Sequence, residues 1–170
     1  RFERGSYGMY AFNPTLGNTP HVNDCEFADC GIGFYSMGKA VSVNASLFKT
    51  CKAGLLAEQV SQTSKIIQSA ANGNQTGIFV QGAASLLILD PEFDENVRGL
   101  VLEGMDTRIE CGSISDNTLL GIHLKYSGTL RLDGTLDQEH EPLSALNNPT
   151  TIKLLQANNC FLNLGNNSLR

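Results

Sequence analysis

The sequence contains no tryptophan and only five prolines, and Lys, Arg, Asp and Glu together make up 17% of its 170 residues. Charge that sparse beside a 41% hydrophobic content excludes an intrinsically disordered chain, which needs the reverse balance. Few prolines with 17 glycines exclude collagen and low-complexity linkers and leave a fold of many tight turns. Basic residues are the minority, twelve against seventeen acidic ones for a net charge of −5, so the positive face of a nucleic-acid binder is missing. No apolar stretch approaches the roughly 18 residues of a membrane helix. The longest aliphatic run is Leu86 to Leu89.

Other signals are missing too. The five cysteines, Cys25, Cys30, Cys51, Cys111 and Cys160, show no CxxC spacing, which argues against a zinc ribbon or a thioredoxin-like site, and they are too sparse for a disulfide scaffold. No cofactor motif and no metal-ligand spacing stands out. The chain opens on Arg1-Phe2-Glu3-Arg4 with neither an initiator Met nor a signal peptide. The expectation is one domain over residues 1–170, a segment of a longer protein.

What the sequence does have is an internal repeat. Gly8, Gly31, Gly54, Gly77, Gly99 and Gly121 each precede a short apolar alternation, reading GMYAF, GIGFY, GLLAE, GIFVQ, GLVLE and GIHLK, and Pro142 with Leu143-Ser144-Ala145-Leu146 takes the next place. An aliphatic comb runs in parallel through Val22, Val43, Ile66, Leu87, Ile109, Leu130 and Ile152. A third comb, Cys30, Cys51, Asn74, Asn96 and Asn117, is small and polar, and often stands fourth after a large apolar residue, as in Phe27-x-x-Cys30 and Phe93-x-x-Asn96.

A period near 22 with strand alternation excludes helical repeats, and the fixed Leu-x-x-Leu-x-Leu spacing of a leucine-rich repeat is missing. What remains is a β-solenoid of about seven coils, each coil holding two or three short strands, with equivalent residues stacked about 4.8 Å apart. The combs then become columns: apolar ones inside, a glycine column permitting a tight turn before each strand, and a Cys/Asn column forming an amide ladder at a turn. The coil length, the asparagine column and the Ile114-Ser115-Asp116-Asn117…Gly121-Ile122-His123-Leu124 pattern resemble the right-handed parallel β-helix superfamily, which includes pectate lyases, carbohydrate-binding repeats and phage tailspikes. The fold that this resemblance implies is all-β, a right-handed parallel β-helix. The combs serve stacking, so the resemblance is specific for fold and not for one family.

With the residue after each glycine pointing inward, the outward columns are Tyr10, Gly33, Leu56, Phe79, Val101 and His123 and, two residues on, Phe12, Tyr35, Glu58, Gln81, Glu103 and Lys125. Glycoside hydrolysis needs two carboxylates about 5 to 9.5 Å apart. Only Glu58 and Glu103 qualify by type, Gln81 separates them, and Lys125 beside Glu103 reads as a cross-strand ion pair. The catalytic patterns of the resembled enzymes are not matched, and no catalytic residue is carried over. His123 reads as a lone imidazole. Asp133, Asp137, Glu139, His140 and Glu141 form an acidic cluster without calcium-loop spacing, and Asp90 to Glu95 reads as a solvated turn.

The candidate binding residues are therefore the outward stripe Tyr10, Phe12, Tyr35, Leu56, Phe79, Val101 and His123. Cys30 and Cys51, in one column, could either stack as thiols or bridge. The function expected is a rigid β-helical structural or binding segment of a surface-exposed or virion-type assembly, extracellular, with carbohydrate contact compatible with its aromatic rings. Its expected partners are copies of itself, flanking domains or a polysaccharide. The alternative is a polysaccharide lyase, hydrolase or epimerase of the pectate-lyase-like class.

Overall fold

The computed structural model of the protein describes residues 1–13, 19–38, 40–125, 129–133, 135–136, 143–146, 151–155 and 161–163. Among them there is no helix, and all strand pairs are parallel. The chain winds as a right-handed parallel β-helix, the sense that strand-to-parallel-strand crossovers take.

Each coil lays strands on up to three faces. The broad sheet holds Tyr7–Asn13, Ile32–Gly38, Ala53–Val60, Thr76–Gly82, Arg98–Glu103, Leu120–Lys125 and Leu143–Leu146, stacked in chain order. The second sheet is also seven-stranded, from His21–Asn23 through Ser64–Ile67 and Asp106–Glu110 to Thr151–Leu155. A third face carries two- and three-residue strands such as Glu26–Ala28 and Leu47–Lys49. Its order breaks once, where Phe161–Asn163 lies between Gly112–Ser113 and Thr135–Leu136.

The interior is a set of columns. Met9, Phe34, Leu55, Ile78, Leu100 and Ile122 pair in register along the broad sheet, and from Phe34 onward all are fully buried. On the third face the Phe2, Phe27 and Phe48 rings stack at 4.9 and 5.0 Å, nearly parallel. The amide ladder forms as expected. Asn74 donates its backbone N–H and its Nδ2 to Asn96 Oδ1, both at 3.0 Å, and Asn96 does the same to Asn117 at 3.0 and 3.1 Å. The spare amide hydrogens of Asn74, Asn96 and Asn117 reach the carbonyls of Phe48, Ala71 and Phe93. The side-chain amides at this corner thus find partners in the coils on either side.

Two of these columns differ from the sequence reading. The glycine column runs through Gly33, not Gly31, since Met9 pairs with Phe34. A slip of two residues keeps every side chain on its face, so alternation could not reveal it. Its glycines do not serve a positive φ: a Cβ on Gly33 would stand 2.5 Å from the Gly54 carbonyl oxygen and 2.9 Å from the Phe48 ring, so it is the space that forbids a side chain. The second-sheet core column is Val22, Val43, Ile66, Ile88, Ile109 and Leu132, with Leu154 next in register. Leu87 faces outward between Lys65 and Arg108, and Leu130 and Ile152 belong to the neighbouring column headed by Ser64 and Leu86.

The tight turns are made elsewhere, by non-glycine residues in the left-handed region. Asp24, Ala45, Gln68, Asp90 and Cys111 hold one corner, and Arg4, Asp29, Thr50, Glu95 and Asp116, with Gly73, hold the next. Asp tolerates this region better than most residues, and the stacked neighbours fix the rest.

Candidate functional site

The outer face of the broad sheet carries the candidate stripe. Tyr10, Tyr35, Leu56, Phe79, Val101 and His123 form one continuous column, each paired in register with the next. Tyr35 thus takes the place expected for Gly33, which faces inward, and Met37 pairs with Phe12 in the second outward column. The column changes character along its length. Tyr10 and Phe12 are 54% and 56% exposed, Tyr35, Leu56 and Phe79 are half-buried, and Val101 and His123 are buried at 3% and 9%. That burial arises within the single chain, so the stripe is open only toward its N-terminal end.

There the aromatic side chains gather. The Tyr10 and Tyr35 rings lie 5.1 Å apart, and Tyr7 joins both at 5.8 and 6.0 Å. Tyr7 stands just before the glycine corner, outside the alternation that picked the stripe. The signal for it was crowding: three of the chain's four tyrosines fall in the first two coils. Tyr35 donates its hydroxyl hydrogen to Glu58 Oε2 at 2.6 Å. The Glu58 carboxylate, with burial adding to it, pushes the Tyr35 phenol up to about 12.

The polar column beside it is fully engaged. Gln81 donates to Glu103 Oε2 at 3.2 Å, and Lys125 pairs with Glu103 Oε1 at 2.7 Å, the ion pair that the spacing predicted. A β-bulge separates Glu58 from this set, because Ala57 pairs with Val80 and Val60 with Gly82, with Gln59 in the left-handed region. The two carboxylates therefore turn to different partners. His123 lies beside Val101, with no hydrogen-bond partner for Nδ1. Burial first, then the Lys125 and Arg98 charges, hold its imidazole below the ordinary value despite Glu103, which leaves it neutral at pH 7.

Among the described residues no three His, Cys, Asp or Glu side chains converge as a metal cluster would. Asp137, Glu139, His140 and Glu141 lie outside the described residues, as do Pro142 and Cys160. In the Asp90–Glu95 turn, Asp94 Oδ1 accepts hydrogen bonds from the Ser115 N–H at 2.7 Å and the Ser113 hydroxyl at 2.9 Å, so this carboxylate builds the turn. Cys25, Cys30 and Cys51 are free thiols, whereas Cys111 is disulfide-bonded.

Residues 3–134 match the family model NosD, described as periplasmic copper-binding protein (NosD). No curated protein and no solved structure matches the chain.

Proposed function

The chain belongs to the NosD family of periplasmic copper-binding proteins, and from that premise we propose that it is a rigid binding scaffold of the cell envelope that holds a neutral polysaccharide on its aromatic face. The observation that carries this reading is the ring cluster of Tyr7, Tyr10 and Tyr35 beside the exposed Phe12. Aromatic faces stack on the C–H faces of sugar rings, and tyrosine adds a hydroxyl at the wet edge. The bond from Tyr35 to Glu58 fixes one ring before any ligand arrives, which lowers the ordering cost of binding. Neutral sugars fit better than acidic ones, because the chain carries a net charge of −5 and this face bears Glu58 and Glu103.

The periplasmic description of the family favours the cell envelope over a virion as the setting. Electrophoresis through gels loaded with neutral or acidic polysaccharides tests the reading. Retardation by a neutral polysaccharide that disappears in Tyr10→Ala supports it. Free migration in every gel, together with a concentration-dependent dimer in sedimentation, replaces it with self-association through the same stripe.

A further inference from the structure

The amide ladder stops at Asn74, and the two preceding coils carry thiols in its place. Cys51 donates its N–H to Asn74 Oδ1 at 2.8 Å, and from there toward the N-terminus the column is Cys51 and then Cys30. Both thiols are free and nearly buried, at 3% and 4% exposure. Their backbones hold the same place in successive coils, Lys52 N–H bonding the Cys30 carbonyl and Gln75 N–H the Cys51 carbonyl. The two Cα atoms are therefore about one coil rise, ~4.8 Å, apart. The side chains share one posture, since each thiol reaches the carbonyl two residues back, Ala28 at 3.3 Å and Lys49 at 3.4 Å. Both border a shallow surface groove of about 420 Å³ that Asp29, Thr50, Lys52 and Gln75 also line.

We propose that Cys30 and Cys51 bind one copper(I) ion between them as a bis-thiolate. The family's description names the metal, whereas these ligands are this chain's own. Soft thiolates select copper(I). This ion accepts two ligands in a line, which sulfurs stacked on adjacent coils supply. Zinc is disfavoured, because a closed zinc site takes four ligands and the described residues bring no third His, Cys, Asp or Glu to the pair. In the binding step one copper(I) ion forms two Cu–S bonds, both S–H bonds break, and two protons leave to solvent. The resulting site carries one negative charge, and Lys52 lies at the groove to offset it. Because both thiols must lose their protons to bind, copper competes with protons and affinity rises with pH.

This inference stands on the thiol column and is independent of the aromatic face. The test is anaerobic titration of the full chain with a copper(I)–bicinchoninate complex, alongside alkylation of the thiols with and without copper. One copper per chain is expected, with both Cys30 and Cys51 protected from iodoacetamide and Cys25 still reactive. Cys30→Ser and Cys51→Ser each lower the affinity by about a hundredfold or more, while Cys25→Ser leaves it unchanged. Uptake of copper with Cys30 and Cys51 still alkylated at the metal-free rate overturns the proposal. So does a folded Cys30→Ser/Cys51→Ser double variant that retains wild-type affinity, or a wild-type chain that takes no copper from the complex. The alkylation arm uses the wild-type protein and stands even if the double variant does not fold.

Discussion

The Tyr35 hydroxyl donates a 2.6 Å hydrogen bond to Glu58, one coil further along the broad sheet, and so ties the aromatic cluster to the first residue of the β-bulge. The bond holds Tyr35 in place and sets its titration. Because the carboxylate stabilises the neutral phenol, the folded value stands at about 12 against the ordinary 10. A proton held more tightly in the folded state contributes stability that is fully present below pH 10 and is lost as pH rises toward 12. Glu58→Gln removes the charge, so the Tyr35 phenol is expected to titrate closer to 10. Absorbance titration of phenolate in the two proteins measures it, and identical curves would refute this role of Glu58.

His123 titrates with the opposite consequence. Its folded value is depressed by burial and by Lys125 and Arg98, so the unfolded chain binds the proton more tightly. The stability it contributes is present above about pH 6.5 and falls as pH drops through the folded value. Urea midpoints followed from neutral into mildly acidic pH should fall in the wild type and fall less in His123→Gln. Equal slopes would mean that other groups dominate the acid response.

Asn96 is the centre of the amide ladder and fully buried. Asn96→Ala leaves the Asn74 N–H without its acceptor and removes the donor to Ala71, at an expected cost of about 3 kcal/mol or more. Asn96→Asp keeps the shape but buries a charge and loses the same donor, and is expected to cost at least as much. Urea denaturation followed by circular dichroism gives both values.

Two glycines should behave against the usual expectation. Gly73 has φ +67, yet a Cβ there meets only Thr50 Cγ2 at 3.9 Å, and its column neighbours Thr50 and Glu95 adopt the same region with side chains. Gly73→Asp is expected to cost about 1 kcal/mol or less. Gly54 lacks a positive φ, but its Cβ would stand 2.5 Å from the Gly77 oxygen and 2.7 Å from Phe48 Cβ. Gly54→Ala should cost about 3 kcal/mol or more, because backbone must move. Comparing the two thermal midpoints decides the matter.

Much of this architecture was legible because stacking demands like residues at one period. The asparagine ladder, the Phe27 and Phe48 positions and the Glu103–Lys125 pair could all be read from spacing. Register was less legible. A two-residue slip at Gly31 and Gly33 preserves alternation, and a tolerance of one residue put Leu87 where Ile88 belongs. The left-handed corners were hidden because Asp29, Thr50 and Glu95 hold them where glycine is the usual signal. At the candidate site the column Tyr10, Leu56, Phe79, Val101 and His123 was legible. The burial of its last two members was not, since exposure depends on what lies over the sheet and alternation reports only which way a side chain points.

The most direct test of the aromatic face uses the protein's own fluorescence. With no tryptophan in the chain, emission comes from four tyrosines, three of them in the ring cluster. Titration with a neutral polysaccharide should change that emission saturably, and Tyr10→Ala/Phe12→Ala should weaken binding by about tenfold or more, near 1.4 kcal/mol, with an unchanged thermal midpoint. Wild-type affinity in that double variant, or no response in the wild type to any neutral polysaccharide, would contradict the account.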